Sequence, residues 1–230
     1  MEGMLIALQK VKKTGFSPQA ILDIGAYQGE WTKAAAVTFE QSQILMLEAQ
    51  ESMEPTLAAF HGYDASRFQY EIALLGAEGG QEREFHIVES EWGTTGSSMF
   101  PELTDFPSRT TKRVTRTIDA IIAERGFPGA DLIKVDVQGA ELEVLRGALE
   151  ALKQAEFVCL ELSTMEYNQG VPRAGEVIKF MVEHGFEIFD CFDSRFDSAG
   201  NHVQMDMTFI KANSKFQPTL QIERVDVSAA

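Results

Sequence analysis

Short apolar runs alternate along the chain with segments in which apolar positions recur at helical spacing. This pattern predicts parallel strands joined by helical crossovers, because helices of ten or more residues carry the chain back across a sheet. The predicted strands are 20–24, 43–47, 67–75, 130–137, 156–162, 186–192 and 203–211, and the predicted helices are 1–13, 28–39, 52–60, 140–154 and 174–184. The sequence therefore predicts a three-layer, Rossmann-like α/β fold, in which helices cover both faces of a mostly parallel seven-stranded sheet.

Two places interrupt the alternation. Residues 76–129 form an insertion between the third and fourth predicted strands, and this insertion contains an extra strand-like pair at 84–88 and 112–117. Near the end of the chain, residues 193–202 are too few to form a crossover helix, so the last strand is expected to return antiparallel in a hairpin. Because the chain has no repeat and no linker-like stretch, we expect one domain over residues 1–230, with a C-terminal tail at 213–230.

The composition limits the classes to which the protein can belong. Hydrophobic residues make up 44% of the chain, and 35 acidic residues against 20 basic ones give a net charge of −15. This charge repels a phosphate backbone, so we expect no nucleic-acid partner. No apolar run reaches the ~20 residues of a membrane span. The two cysteines, Cys159 and Cys191, stand in apolar runs and are expected to be reduced core thiols of a cytoplasmic protein; whether it forms a homo-oligomer stays open.

A glycine-containing turn, DIGAYQG at 23–29, follows the first predicted strand. Glycines let the backbone turn with positive φ, and the free N–H groups at the start of the next helix face a ligand. Glu48 ends the second predicted strand. It follows the glycine-containing turn by about 20 residues, the spacing at which an acid contacts the ribose of a nucleotide cofactor. Asp23 can instead order the turn, and Glu48 can instead be an exposed acid at a strand end. As cofactor-binding residues we nevertheless predict Asp23, Gly25, Ala26, Tyr27, Gly29 and Glu48.

A second signature, LIKVDVQGAE at 132–141, places two charges inside an apolar strand. Lys134 and Asp136 point to the same side because side chains alternate along a strand. Buried charges are costly unless they are paired or used, so these two residues need either each other or a ligand. Asp136 lies at the carboxyl end of the strand, where open α/β sheets bind ligands, and is therefore predicted to contact the cofactor as well.

Together these motifs resemble those of FkbM-type methyltransferases. The segments ILDIGAYQGEWT, LIKVDVQGAELEVLRGA, VCLELS, GSSM and QMDMTFIK carry the resemblance, which covers residues 14–212. It implies a class I fold that ends in an antiparallel hairpin, S-adenosylmethionine as methyl donor, and O-methylation of a hydroxyl on a sugar, lipid or small metabolite. Two positions depart from the family pattern, since Tyr27 replaces the usual Asn and Gln138 replaces the usual Glu.

A hydroxyl acceptor has to lose its proton, either to a general base or with the help of a metal. Our candidate for the base is Asp136, with Glu161, His202 and Asp206 as alternatives on the ligand side of the sheet. A divalent metal held by Asp136 and a nearby acid stays open, although no compact ligand motif indicates one. The loop 93–98 is either a mobile lid or an ordinary solvated loop.

Two other functions compete with this interpretation. An NAD-dependent oxidoreductase could use the same turn and Glu48, although the third glycine typical of that class is missing. A non-catalytic protein with a methyltransferase fold is the other alternative, and the departure at Gln138 keeps it open.

Overall fold

The computed structural model describes residues 2–91 and 93–219. Its helices are α1 Glu2–Lys13, α2 Glu30–Thr38, α3 Glu54–Tyr63, α4 Ile118–Arg125, α5 Glu141–Arg146, α6 Leu149–Gln154 and α7 Ala174–Glu183, and a 3-10 turn spans Glu51–Met53. Its strands are β1 Ala20–Ile24, β2 Gln43–Glu48, β3 Phe68–Ile72, β4 Leu74–Leu75, β5 Glu82–Val88, β6 Ser108–Arg116, β7 Leu132–Val135, β8 Phe157–Ser163, β9 Phe186–Phe196 and β10 His202–Lys211. The part of the predicted tail at 220–230 lies outside the described residues.

Within the described residues, seven strands form the main sheet, in the order β3-β2-β1-β7-β8-β10-β9. The first five are parallel to one another, whereas β10 runs antiparallel between β8 and β9. The predicted mostly parallel sheet with a terminal antiparallel hairpin is therefore confirmed. The reversal of strand order beside β1 leaves a crevice at the carboxyl ends of β1 and β7, which is where open sheets of this kind bind ligands.

Two apolar clusters, one on each face of the sheet, confirm the three layers. On one face, residues of α1, α2 and α3 such as Leu8, Ala35 and Leu57 pack on the sheet. On the other face, α4 to α7 contribute residues such as Ile121 and Leu145. Successive strand residues alternate between the two clusters, as the period of two requires.

The structure corrects three details of the predicted elements. The predicted strand 67–75 is split, because the chain leaves the main sheet at Ala73 and β4 pairs with β6 instead. The predicted helix 140–154 is two helices, since Gly147 packs against Gly76 so closely that an added Cβ would lie 2.2 Å from the Gly76 carbonyl oxygen. Helix α4, inside the insertion, was not predicted at all.

The insertion forms a small three-stranded sheet, in the order β4-β6-β5, beside the main one. Its antiparallel strands β5 and β6 correspond to the strand-like pair predicted at 84–88 and 112–117. The prediction that both cysteines lie in the core is wrong for Cys191, which is exposed because β9 is an edge strand, while Cys159 is buried; both are free thiols. Among the described residues, no helix is both long and apolar enough to cross a membrane.

Candidate active site

A cavity of about 1250 Å³ opens at the carboxyl ends of β1, β2 and β7. Single-ligand pockets usually measure roughly 300–1,000 Å³, so this one has room for two molecules side by side. It is lined by the turn after β1, the end of β2, the turn after β7, the β9–β10 hairpin and loops of the insertion. The cavity therefore brings the predicted cofactor cradle, formed by the turn after β1 and the end of β2, together with the predicted base Asp136.

Backbone contacts fix the conformation of the turn after β1. Gly25 has a φ of 71° and Tyr27 a φ of 48°, both in the left-handed region. The N–H groups of Gly25 and Ala26 both donate to the Leu47 carbonyl of β2, at 2.8 and 3.1 Å. A Cβ on Gly25 would lie only 1.8 Å from the Asp136 carbonyl oxygen, so only glycine lets the ends of β1 and β7 approach so closely.

Glu48 lies at the floor of the cradle and lines the cavity. Its Oε2 accepts a hydrogen bond from the Tyr27 N–H and its Oε1 accepts one from the Gln50 N–H, each at 2.8 Å. Burial raises the pKa of Glu48 above its ordinary value, and the two backbone donors partly oppose that rise. Glu48 therefore fixes the turn on one side of the cradle and the start of the next segment on the other.

Gln50 also lines the cradle, and the sequence analysis missed it. The side chain is buried, and its Nε2 donates to the Thr94 carbonyl at 3.2 Å. Its Oε1 is buried and has no hydrogen-bond partner among the described residues. A buried acceptor without a donor is costly, so this oxygen is suited to a donor supplied by a ligand in the cavity.

Behind the cradle lies a buried ion pair. Asp23 and Lys134 stand opposite each other on β1 and β7, with their charged atoms 3.3 Å apart. Lys134 Nζ also donates to the Gly25 carbonyl at 2.8 Å, and Asp23 accepts from Thr32 Oγ1 at 2.6 Å. Asp23 is fully buried and is not among the residues that line the cavity, whereas Lys134 is. Asp23 therefore does not face the cavity itself and affects the site through its ion pair with Lys134.

The side chains of Asp136, Gln138 and Glu161 meet beyond the end of β7. Gln138 Nε2 donates to Asp136 Oδ1 at 2.8 Å and to Glu161 Oε2 at 2.5 Å. Lys134 Nζ lies 3.7 Å from Asp136 Oδ2. Asp136 and Gln138 line the cavity, whereas Glu161 does not.

The pKa values of the two carboxyl groups in this cluster are shifted in opposite directions. Burial favours a higher pKa for Asp136, but the Lys134 ammonium and the Gln138 amide outweigh it and hold the pKa below its ordinary value. For Glu161, burial and the neighbouring Asp136 charge raise the pKa well above its ordinary value. Asp136 is therefore the more acidic member of the pair, and Glu161 is the member whose protonated form is favoured.

The remaining catalytic candidates, Asp206 and His202, do not line the cavity. Asp206 stands opposite Glu161 in the β8–β10 register, and burial raises its pKa to about 7. His202 lies at the start of β10, where its ring lies 5.1 Å from the Phe196 ring. Of the four predicted catalytic residues, Asp136 alone lines the cavity, and the structure brings Glu161 and Asp206 close to it.

Two further polar residues of the hairpin join the cluster. Arg195 Nη1 lies 2.8 Å from Glu161 Oε1, and Gln204 Nε2 donates to Glu161 Oε2 at 3.2 Å. Both residues line the cavity. The local sequence pattern contains no signal for Gln204, because its partner is fixed only by the pairing of β10 with β8.

The loop 93–98 covers the cradle. Its Thr94 N–H donates to the Tyr27 hydroxyl at 3.3 Å, and Gln50 contacts the same residue from the other side. At the far end of the loop, Ser98 Oγ donates to the Val137 carbonyl at 3.4 Å. Tyr27, which departs from the family pattern, therefore connects the cradle directly to the loop above it.

The strand order, the terminal hairpin and the glycine turn with an acid at the end of β2 define a class I methyltransferase fold. The sequence model of the methyltransferase FkbM domain family matches residues 23–188. The chain therefore belongs to the FkbM methyltransferase family.

The chain is also similar to individual proteins. It is 29% identical over 169 residues to the 2-O-methyltransferase NoeI of Sinorhizobium fredii, a match that spans 65% of this chain and 65% of that relative. Two solved structures, each with a TM-score of 0.50, share the fold. One is the methyltransferase FkbM of Methylobacillus flagellatus, with 17% identity over 83% of this chain and 43% of that one. The other is a putative RNA methyltransferase of Pyrococcus horikoshii, with 13% identity over 91% and 84%.

Proposed function

We propose that the protein is an S-adenosylmethionine-dependent methyltransferase that methylates a hydroxyl oxygen. The observation that carries this proposal is the single cavity that connects the cradle of Glu48 and Gln50 with the carboxylate of Asp136. An in-line methyl transfer needs a donor and an acceptor held end to end, and a large part of the rate comes from that alignment. Membership of the FkbM family supports the same reaction.

The residues of the cradle fit an adenosyl cofactor. Glu48 can accept hydrogen bonds from ribose hydroxyls, and the unpartnered Oε1 of Gln50 can accept one from a hydroxyl or an amino group. Gly25, Ala26 and Tyr27 line the same end of the cavity and bring backbone close to the ligand. When bound, S-adenosylmethionine supplies a methyl group on a positively charged sulfur. The acidic character of the cradle suits that charge.

Asp136 is the group that we assign to the acceptor hydroxyl. It is ionised in the neutral range because its pKa is held below the ordinary value, so it can accept a hydrogen bond from the hydroxyl. The oxygen becomes strongly acidic as it gains the methyl group, and even a weakly basic carboxylate then takes its proton. Lys134 keeps Asp136 charged, and Glu161, Asp206 and the other members of the cluster act through it.

The residues that line the cavity support a sugar or lipid hydroxyl as the acceptor. The amide groups of Gln138 and Gln204 and the carboxylate of Asp136 are among them, and such groups suit hydroxyl groups. Three exposed apolar side chains, Leu103, Met165 and Phe196, line the same cavity and suit an apolar part of the acceptor. The 2-O-methyltransferase activity named for the Sinorhizobium relative is consistent with a hydroxyl acceptor.

We further propose that the insertion 76–129 belongs to the same domain as the rest of the chain. Helix α4 supports this proposal, because Ile118 and Ile121 are buried in the same apolar cluster as β1 and β7. The insertion also supplies the loop 93–98 above the cradle.

Calorimetry with S-adenosylmethionine and NADH tests the cofactor. We expect binding of S-adenosylmethionine, and a loss of affinity of roughly 10- to 100-fold in Glu48→Gln, because a hydrogen bond to a charged group is worth about 1.5–3 kcal/mol. Tight binding of NADH alone would contradict the proposal and favour the oxidoreductase.

Methyl transfer itself is tested with labelled cofactor and fractionated metabolites of the source cells. We expect label in a small molecule or glycolipid fraction, and its loss in Asp136→Asn. Cofactor binding without transfer to any fraction would favour the non-catalytic alternative.

A further inference from the structure

Gln138 contacts both carboxyl groups of the cluster through a single nitrogen. A primary amide carries two N–H donors, and Nε2 of Gln138 directs one to Asp136 Oδ1 and one to Glu161 Oε2. Gln204, by contrast, reaches Glu161 alone, at 3.2 Å. Gln138 thus donates hydrogen bonds both to the acid that lines the cavity and to the acid behind it, and these two acids also contact each other directly.

The backbone holds Gln138 in this position at some cost. Its φ of 54° lies in the left-handed region, which is unfavourable for a residue with a side chain. Buried Glu141 braces the turn, because its Oε1 accepts hydrogen bonds from the N–H groups of Val137 and Gly139, both at 3.1 Å. Strained residues that the surrounding structure holds in place concentrate at functional sites, and they aim a side chain in one direction.

We propose that Gln138 is a positioning residue whose amide ties the Asp136 carboxylate to Glu161 and so orients Asp136 toward the acceptor. The proposal rests on the proposed function, in which Asp136 receives the acceptor proton. Because Gln138 occupies Oδ1 and Lys134 lies beside Oδ2, the carboxylate cannot rotate freely. Gln138, which stands where the family usually has Glu, then changes how the Asp136 carboxylate is held in place.

A glutamate at this position would act differently. It would bring a third carboxyl group between Asp136 and Glu161, with no N–H to donate to either. The charged groups packed around the pair are Lys134 from β7, Arg195 from β9, Asp206 from β10 and Glu141 from α5, so that with Asp136 and Glu161 themselves four acids stand against two bases. The neutral amide of Gln138 therefore relieves repulsion that a further charge would increase.

Carbon-13 NMR of the Asp and Glu carboxyl groups tests this inference on the whole protein. The resonances are assigned with Asp136→Asn and Glu161→Gln, and the titrations are compared in wild type, Gln138→Met and Gln204→Met. Methionine has nearly the length of glutamine but no N–H, so Gln138→Met should raise the Asp136 midpoint by roughly one pH unit. Gln204→Met is the matched control, which should shift the Glu161 titration and leave that of Asp136 unchanged.

An Asp136 midpoint that stays at the wild-type value in Gln138→Met, or that moves equally in Gln204→Met, would overturn the proposal. If Gln138→Met does not fold, Gln138→Glu provides the second test. That variant should take up an additional proton near neutral pH, and its thermal midpoint relative to wild type should fall as pH rises; an unchanged pH dependence contradicts the inference. These readouts need no acceptor, so they are independent of the calorimetry and labelling experiments that test methyl transfer.

Discussion

At the scale of single residues, burial affects the acids of the site unequally. Lys134 and Gln138 lower the pKa of Asp136 against the effect of burial, whereas burial and the neighbouring Asp136 charge raise the pKa of Glu161. Glu141 is a third case. It accepts two backbone hydrogen bonds, but burial still raises its pKa to about 7, so its role in bracing the turn depends on pH.

Glu141→Gln should therefore change the pH dependence of stability. The pKa of Glu141 is raised in the folded protein, so its contribution is complete below the ordinary value of 4.5 and is lost as pH rises through about 7. Glutamine keeps the accepting oxygen and cannot ionise. We expect equal unfolding free energies for the variant and wild type at about pH 4.5, and a variant more stable by up to about 3 kcal/mol at about pH 8.

Urea unfolding at the two pH values measures this difference. Glu150→Gln is the control, because the Glu150 side chain is exposed and pairs with Lys153 on the helix surface. It should change stability by less than about 0.5 kcal/mol at either pH. If Glu141→Gln is destabilised equally at the two pH values, then Glu141 stabilises the turn in its charged form.

Sequence reasoning found the residues of the site that strand ends determine. Glu48 and Asp136 were predicted because each follows an apolar run at the carboxyl end of a parallel strand, and both line the cavity. Gln50, Gln204 and Glu141 were missed because nothing in their local pattern distinguishes a polar side chain that meets a distant partner from one in water. Whether these residues bind the ligands stays a prediction.

At the scale of elements, the fold depends on the close approach of β1 and β7. Gly25→Ala should displace the two strand ends, since the new Cβ would lie 1.8 Å from a backbone oxygen that cannot move aside. We expect a loss of more than about 3 kcal/mol in the free energy of unfolding and no measurable binding of S-adenosylmethionine by calorimetry.

Gly15→Ala is the control that distinguishes the effect of this close contact on stability from the effect of a positive φ alone. Gly15 also has a positive φ, of 88°, but no described atom lies within 4 Å of its added Cβ. It should therefore lose only about 1–2 kcal/mol and retain cofactor binding. If both variants lose the same stability, the close approach at Gly25 is not what the glycine provides.

The loop 93–98 and the cradle form the second element-level connection. Tyr27→Phe removes the hydroxyl that accepts the Thr94 N–H, a hydrogen bond worth about 1 kcal/mol. We expect amide hydrogen exchange at Ser97 to become roughly fivefold faster, because the loop opens more often. Tyr63→Phe, at an exposed position, should leave the exchange unchanged, and an unchanged rate in Tyr27→Phe would show that the hydroxyl does not hold the loop.

The order of elements was predictable from apolar periodicity, whereas their interruptions were not. The antiparallel return of β10 followed from the length of the connection before it. The break between α5 and α6 depends on Gly147 meeting Gly76, and α6 begins where Asp119 accepts hydrogen bonds from the Glu150 and Ala151 N–H groups. Contacts between segments so distant along the chain leave no periodic signal.

At the scale of the whole molecule, charge restricts the acceptor. The net charge is −15, and among the described residues the two cations that line the cavity, Lys134 and Arg195, lie 3.3 and 2.8 Å from carboxyl oxygens of Asp23 and Glu161. The fold is shared with a putative RNA methyltransferase, but at 13% identity that likeness extends to the fold alone. An RNA backbone approaching this protein would meet repulsion at long range and no unpaired cation at these two positions.

Transfer of labelled methyl groups to total RNA should therefore be absent, while transfer to a small-molecule or glycolipid fraction should be measurable. Filter binding of transfer RNA at physiological salt should show no complex tighter than the ~10⁻⁴ M at the weak end of non-specific binding, because that binding comes from phosphate neutralisation by Lys and Arg. Lowering the salt should not rescue it, since less screening strengthens repulsion as well as attraction. Label that ribonuclease releases from acid-precipitable material would contradict this prediction and place the acceptor among nucleic acids.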